Sequence, residues 1–351
     1  MKIDLDSSTA IYLQIAHHFR DLIVSGQLPP GRRLPPEREI AEEYRISRGT
    51  VRQAMNALVN EGLVERAVGK GTFVRKSIGV PTALIGVILP STQDALAIDI
   101  LGGVEYIAKQ RDYHVVFAAT ENRLEHEAVD IQRMRRQKVA GLVVFPISNL
   151  ARDEAIEALA GEGISLVLVD RYFPGFPTDV VTVDNVGGGY KLTRHLIDLS
   201  HRRIGFVTSD DLTTTSVRDR FQGYRRALEE HHLTYEDRFY LRIPGDLTAF
   251  LRAPDRPTAV FAANDFIAIE VMQVANGLGL RVPEDLAVVG FDDIREASQL
   301  GVPLTTIRQS GRLVGQRACA LLLEQVVDGR REPKHEVLPV QLIVRRSCGA
   351  K

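Results

Sequence analysis

The 351-residue sequence contains no tryptophan and only two cysteines, Cys319 and Cys348. Cysteines so far apart, with no histidines at ligand spacing, argue against a disulfide framework or a zinc site and suit a reducing cytoplasm. Cys319 sits in an Ala/Leu-rich stretch and is expected as a small core residue. No apolar run approaches the roughly 18 residues of a membrane span, so no membrane partner is expected. The opening Met1-Lys2-Ile3-Asp4 lacks the charged, apolar and small-residue succession of a signal peptide. Net charge is also scarce: 44 Lys and Arg stand against 45 Asp and Glu, so any basic surface must be local. Nucleotide and nucleophile fingerprints are missing too. No G-x-G-x-x-G follows a predicted strand, and neither G-x-x-x-x-G-K-[ST] nor G-x-S-x-G occurs. An enzyme, a cofactor and a bound metal are therefore not expected.

What is present suits a globular chain with sizeable cores, 44% hydrophobic and 25% charged, and long enough for two or three compact units. Near the N-terminus, Ile11, Ile15, Phe19, Leu22 and Ile23 recur at helical spacing and predict an amphipathic helix ending before Gly26. Pro35-Pro36 then opens a short helix carrying Ile40, Ala41 and Tyr44. Arg45-Ile46 breaks it, and Ser47 is placed to cap the next helix. On that helix Val51, Ala54, Met55, Leu58 and Val59 form an apolar stripe, while Arg48, Thr50, Arg52 and Gln53 crowd the opening turns. After Gly62, the β-type runs Leu63–Ala67 and Thr72–Arg75 flank a tip, Val68-Gly69-Lys70-Gly71, and predict a hairpin.

A helix with an aliphatic inner side and Arg, Thr and Gln at its start suits a DNA major groove, and a basic hairpin suits phosphates. Charges on a helix more commonly form only a solvated face, but the sign of the charge here argues against that reading. From Arg45 to Lys76 there are seven basic residues and only two acidic ones, in a chain whose whole charge sums to −1.

The run L-P-P-E-R-E-x-A-E-x-Y-x-x-S-R-x-T-V-R-Q-A, continued by E-G-L-V-x-R-x-x-G-K-G-T-F-V, resembles the winged helix-turn-helix of the GntR family of bacterial regulators. Pro36 departs from it, standing where that family usually has Ser. The resemblance implies that Arg48 and Gln53 read bases and that Arg38, Thr50, Arg52 and Lys70 hold phosphates. It also implies that Ser47 caps the recognition helix and that Gly69 and Gly71 shape the wing.

Residues 77–82 read as a linker. From Leu84 on, aliphatic runs of four to six residues alternate with amphipathic helical stretches, the signature of parallel sheet covered on both faces. Strands are expected at Leu84–Leu89, Val115–Ala118, Gly141–Phe145 and Leu166–Val169. A second series covers Val180–Val183, Ile204–Val207, Phe239–Ile243, Ala259–Ala262 and Leu286–Val289. Two series imply two lobes, with any ligand beyond the strands' carboxyl ends. The residues at those ends are polar: Asp170 and Arg171, Asn264, Asp292 and Gln309, with Arg220 opening a helix. Guanidinium donors beside carboxylate and amide acceptors suit a polyhydroxylated ligand.

The stretches SVRDRFQGY, FAANDFIAI, EDLAVVGFDD and TTIRQSGRLVGQRA, with the terminal LPVQLIVRRS, resemble the LacI/GalR effector domain, itself similar to periplasmic sugar-binding proteins. By that resemblance Asp170, Arg171, Arg220, Asn264, Asp292 and Gln309 hold a sugar ring. One lobe would take about 83–183 with 309–330 and the other 184–308 with 331–347. Two departures bear on the ligand: the stretch Phe239–Thr258 looks shortened, and Pro90–Ala97 lacks the aromatics that often cover a sugar face. The expected fold class is α/β: a winged helix-turn-helix head at 1–76 and a two-lobed, periplasmic-binding-protein-like body at 83–348. A GntR head on a LacI/GalR body is similar to the arabinose-repressor group of regulators. That likeness implies a homodimer on pseudo-palindromic operator DNA, released by a small sugar. The alternatives are a corepressor-dependent regulator with a non-sugar ligand and an architectural DNA-binding dimer without effector.

Overall fold

The computed structural model describes residues 9–67, 71–74, 83–147, 154–161 and 163–350. Contacts divide the chain into two compact units that meet in sequence between Ala83 and Leu84.

The first unit carries α1 (Ile11–Val24), α2 (Glu37–Tyr44), α3 (Arg48–Asn60) and a hairpin of β1 (Val64–Ala67) and β2 (Gly71–Val74). Arg45 leaves α2 in the left-handed conformation (φ 53°), which turns the chain sharply into α3. The apolar stripe read from the sequence is the core here: Ile15, Phe19, Ile40, Val51, Ala54, Met55 and Leu58 are all buried together. Arg20 on α1 grips Glu61 beyond the end of α3 with two hydrogen bonds of 2.9 and 2.6 Å. The hairpin is antiparallel, with Val64 opposite Val74 and Ala67 opposite Gly71. Residues 31–34 run beside β2: Leu34 N–H donates to Thr72 O, and Val74 N–H to Arg32 O. Gly69 and Lys70 at the hairpin tip, and the linker at 77–82, lie outside the described residues.

The second unit has two lobes. The first begins with β3 (Ala83–Leu89), α4 (Ala95–Gln110), β4 (Tyr113–Ala119), α5 (Leu124–Arg136), β5 (Gly141–Val144), α6 (Glu154–Gly161), β6 (Ser165–Val169) and β7 (Asp179–Val183). With β13 (His335–Leu338) from the end of the chain, its six-stranded sheet has the order β13-β7-β6-β5-β3-β4. Successive residues of these strands face opposite sides, and both sides are covered. Val87, Leu89, Val143, Val167 and Val169 join one core; Ile88, Leu142, Val144, Leu166 and Leu168 join the other. That double burial is why the strands read as unbroken apolar runs.

The second lobe contains α7 (Asn185–Asp198), β8 (Ile204–Thr208), α8 (Thr215–Glu230), β9 (Tyr240–Arg242), α9 (Leu247–Arg252), β10 (Ala259–Ala262), α10 (Asp265–Gly277) and β11 (Ala287–Val289). Its parallel sheet runs β11-β10-β8-β9. The chain then forms β12 (Thr306–Arg308), returns to the first lobe as α11 (Gly311–Val327), and ends with β13 (His335–Leu338) and β14 (Gln341–Ile343). Cys319 is fully buried in α11, as expected. α9 is only six residues long, in line with the shortened stretch seen in the sequence.

The lobe boundary needs one correction. The sequence placed 331–347 wholly with the second lobe, yet β13 lies parallel to β7 in the first sheet, with His335 opposite Val180 and Leu338 opposite Val183. Only β14 goes to the second lobe, antiparallel to β12. The reason is Asp179, a carboxylate only 1% exposed at the start of β7. It accepts from Gln325 Nε2 on α11 at 2.8 Å and, from this return segment, from the Arg330 guanidinium and from the Lys334 N–H at 2.7 Å. A buried carboxylate left without them would be costly, so the segment is held where they can reach.

Candidate DNA-contacting helix and effector cleft

In the head, Ser47 performs the capping expected of it. Its hydroxyl accepts from Thr50 N–H at 3.1 Å and shares a hydrogen bond with Thr50 Oγ1 at 2.8 Å. Val51, Ala54, Met55 and Leu58 are turned inward, which leaves Arg48, Arg52 and Gln53 exposed on the other side of α3. Arg38, on α2, is exposed and lies 3.7 Å from Glu42. Arg52 is not free: its Nε lies 3.3 Å from Glu37. Gly71 opens β2 at φ +113°, a backbone conformation that favours glycine; a methyl group there would meet only the movable end of the Arg33 side chain, 2.9 Å away. Pro36 precedes α2 without offering a side-chain cap; Glu37 and Glu39 supply negative charge to that turn instead.

The second cluster forms beyond the carboxyl ends of the strands. Arg220 on α8 is 5% exposed, with one partner at each of its three nitrogens. Its Nε donates to Asn185 Oδ1 at 2.9 Å and its Nη1 to Ala263 O at 2.6 Å. Nη2 lies 3.5 Å from Asp292 Oδ1, and the guanidinium sits 3.8 Å above the Phe291 ring. This position depends on a close approach of α7 and α8: a methyl group at Gly189 would fall 2.2 Å from Arg220 O. Gly189 therefore serves helix packing.

Asp292 stands at φ 122°, a conformation that side chains other than glycine rarely adopt. Gln309 donates to the same Asp292 Oδ1 at 2.6 Å. Burial pushes the Asp292 carboxyl well above the ordinary range; Arg220 opposes this, and Asp265, Asp170 and Asp94 add to it. Across the cleft, Asp170 is buried at φ 62°, with Arg171 Nε 3.8 Å from its carboxylate. The same Arg171 Nε–H is buried without a hydrogen-bond acceptor, and its guanidinium lies 5.5 Å from the Phe145 ring centre. Arg171 also approaches Asp210 of the other lobe at 4.0 Å.

Of the six predicted residues, Arg220, Asp292 and Gln309 meet directly and Asp170 meets Arg171. Asn264 is committed to structure: its Oδ1 accepts from Ile267 N–H at 2.9 Å and caps α10. What it chiefly has left for a ligand is its amide N–H2.

Arg220 and Arg171 as donors, with Asp170, Asp210 and Asp292 as acceptors, can together bind a molecule bearing several hydroxyls.

Two family models match the chain: bacterial regulatory proteins of the gntR family over residues 11–74, and a periplasmic binding protein-like domain over 193–348. The arabinose metabolism transcriptional repressor of Geobacillus stearothermophilus is 32% identical over 355 residues, spanning 96% of this chain and 97% of that protein. The chain belongs to this family of transcriptional repressors. Among solved structures, a complex of the transcriptional regulator CelR with cellobiose superposes with a TM-score of 0.67 at 26% identity, covering 90% of this chain and all of that one. The lac repressor dimer bound to operator and an anti-inducer gives 0.66 at 26% identity, covering 76% and 93%.

The repressor's cleft also uses residues that the sequence did not single out. Asn185 orients Arg220 and Phe291 lies beneath it; Asp94 caps α4 by accepting from Leu96 and Ala97 N–H at 2.9 and 3.2 Å. Asn185 follows the carboxyl end of β7, so the strand-end rule would have found it had it been applied there. Phe291 carried no such signal, because one apolar residue after a strand reads simply as core.

Proposed function

We propose that this repressor binds a two-fold operator in double-stranded DNA as a homodimer and that a monosaccharide enclosed between its lobes releases it. The observation that carries the effector reading is the buried array of Arg220, Asp292 and Gln309. It presents charged donors and acceptors beyond parallel strands, in a cleft roofed from the other lobe by Asp170 and Arg171. The lobes touch through Tyr172: its N–H donates to Thr215 Oγ1 at 3.0 Å, and its hydroxyl meets Asp219 and Arg218 on α8. A ligand that favours one spacing of the lobes shifts the dimer only through its difference in affinity between the two arrangements.

A dimer surface is available where apolar side chains face solvent: Ile98 and Tyr106 on α4 and Phe266 on α10. We read the protein as a cytoplasmic regulator without catalytic activity; none of the described helices is long and apolar enough to cross a membrane.

Arabinose leads the candidates because of the relatives' names. The direct test is thermal shift against pentoses, hexoses and sugar phosphates, followed by operator binding with each stabilising sugar. Release by a stabilising sugar supports induction, tighter binding would make the sugar a corepressor, and no stabilising sugar would overturn the effector reading.

A further inference from the structure

The head's basic surface contains a sheltered acid. Glu37, the first residue of α2, binds arginines from two other elements. Arg52 Nε of α3 donates to its Oε2 at 3.3 Å, and Arg66 Nη2 of β1 donates to its Oε1 at 3.2 Å. The Glu37 side chain is 29% exposed, whereas those of Arg52 and Arg66 are 64% and 41% exposed. The carboxylate thus lies inside and the guanidinium groups outside.

Stability is a poor reason for this arrangement, since an exposed ion pair is screened by water and salt and must hold two long side chains still. Affinity for DNA is a worse one, because a carboxylate set among phosphate-binding groups repels the backbone. What the arrangement does achieve is geometric. α2, the recognition helix and the wing converge on one group, which fixes two long and otherwise mobile side chains. Each arginine has five N–H donors and gives one to Glu37, so four on each remain for another acceptor.

We propose that Glu37 is a positioning residue that holds Arg52 and Arg66 side by side for the DNA backbone, and that Arg66 is itself a phosphate contact. Glu37 would thereby trade some non-specific attraction for a fixed register of the recognition helix, since phosphate contacts set register and base contacts set sequence.

The test uses the full-length chain with Glu37→Gln, Glu37→Asp and Arg66→Ala. Binding is measured over a range of salt to a duplex recovered from a random pool by the wild type, and to an unrelated duplex. If the wild type enriches no duplex, DNA recognition itself fails before any variant is made. With an enriched duplex in hand, Glu37→Gln should lower the ratio of specific to unrelated affinity about tenfold, and Glu37→Asp should restore most of it. Arg66→Ala should weaken both complexes and reduce the salt slope by about one. An equal rise in both affinities for Glu37→Gln would show that Glu37 only subtracts charge. An unchanged salt slope for Arg66→Ala would remove Arg66 from the contact.

Discussion

The Gln309 side-chain amide donates to Asp292 at 2.6 Å, joining the segment that leads into α11 of the first lobe to the end of β11 in the second. The same carboxylate oxygen faces Arg220 at 3.5 Å. The ligand array and the connection between the lobes therefore share one atom, and a group that changes partners at Asp292 acts on both.

Arg220→Ala should remove the sugar response and also unfold more easily. It leaves Asp292 buried without a cation and Asn185 without its donor, at a cost of about 3–5 kcal/mol. Asp292→Asn keeps shape, volume and an acceptor for Arg220 and Gln309, and should lose sugar affinity at least about tenfold with a smaller fall in melting temperature than Arg220→Ala. Thermal shift with and without the sugar separates the two effects; a full response in Asp292→Asn would move the pocket elsewhere.

Asp265 links stability to pH. It is fully buried, accepts from Thr306 Oγ1 at 2.6 Å and Ile294 N–H at 3.0 Å, and burial raises its carboxyl to about 7. Between about pH 4 and 7 the folded chain holds a proton that the unfolded chain has released. Stability from this group is greatest below that window, falls as pH rises through it, and is constant above it. The loss is about 4 kcal/mol at most. Asp265→Asn should flatten that slope in denaturant titrations at pH 5 and pH 8, and an unchanged slope would exclude Asp265 as its source.

Tyr172→Phe removes the hydroxyl that meets Asp219 at 3.2 Å and Arg218 at 2.9 Å while leaving the backbone bond to Thr215. Weaker contact between the lobes should reduce sugar affinity by about 0.5–1.5 kcal/mol, a few-fold, with the operator affinity of the free protein little changed. Calorimetry on the wild type and variant decides it.

The caps of the head make a paired prediction. Ser47→Ala should destabilise the head by about 1 kcal/mol, because Thr50 N–H loses its acceptor. Pro36→Ser should do the opposite, by about 0.5–1 kcal/mol, since α2 has no side-chain cap. Unfolding followed by a probe in the head should move in opposite directions for the two.

DNA and sugar must also weaken each other by the same factor. Titrating sugar into the operator complex and into the free protein should give affinities whose ratio equals the sugar's effect on operator affinity. Unequal factors would mean that the two ligands do not act through one equilibrium.

Much of this was written in local pattern. The period of Val51, Ala54, Met55 and Leu58, the cap at Ser47 and the unbroken aliphatic runs of the parallel strands depend only on residues near one another in the chain, so helix, turn and strand could be read directly. The polar strand ends followed as well, because a parallel sheet places every carboxyl end on one edge. What the sequence could not set was the partner across long separations. Asn185 with Arg220, β13 with β7 through Asp179 and Arg330, and Glu37 with Arg52 and Arg66 are pairings between distant segments. Each depends on where two separately folded elements come to rest, and on burial that leaves a charge no other group to meet. Only the tertiary structure decided those.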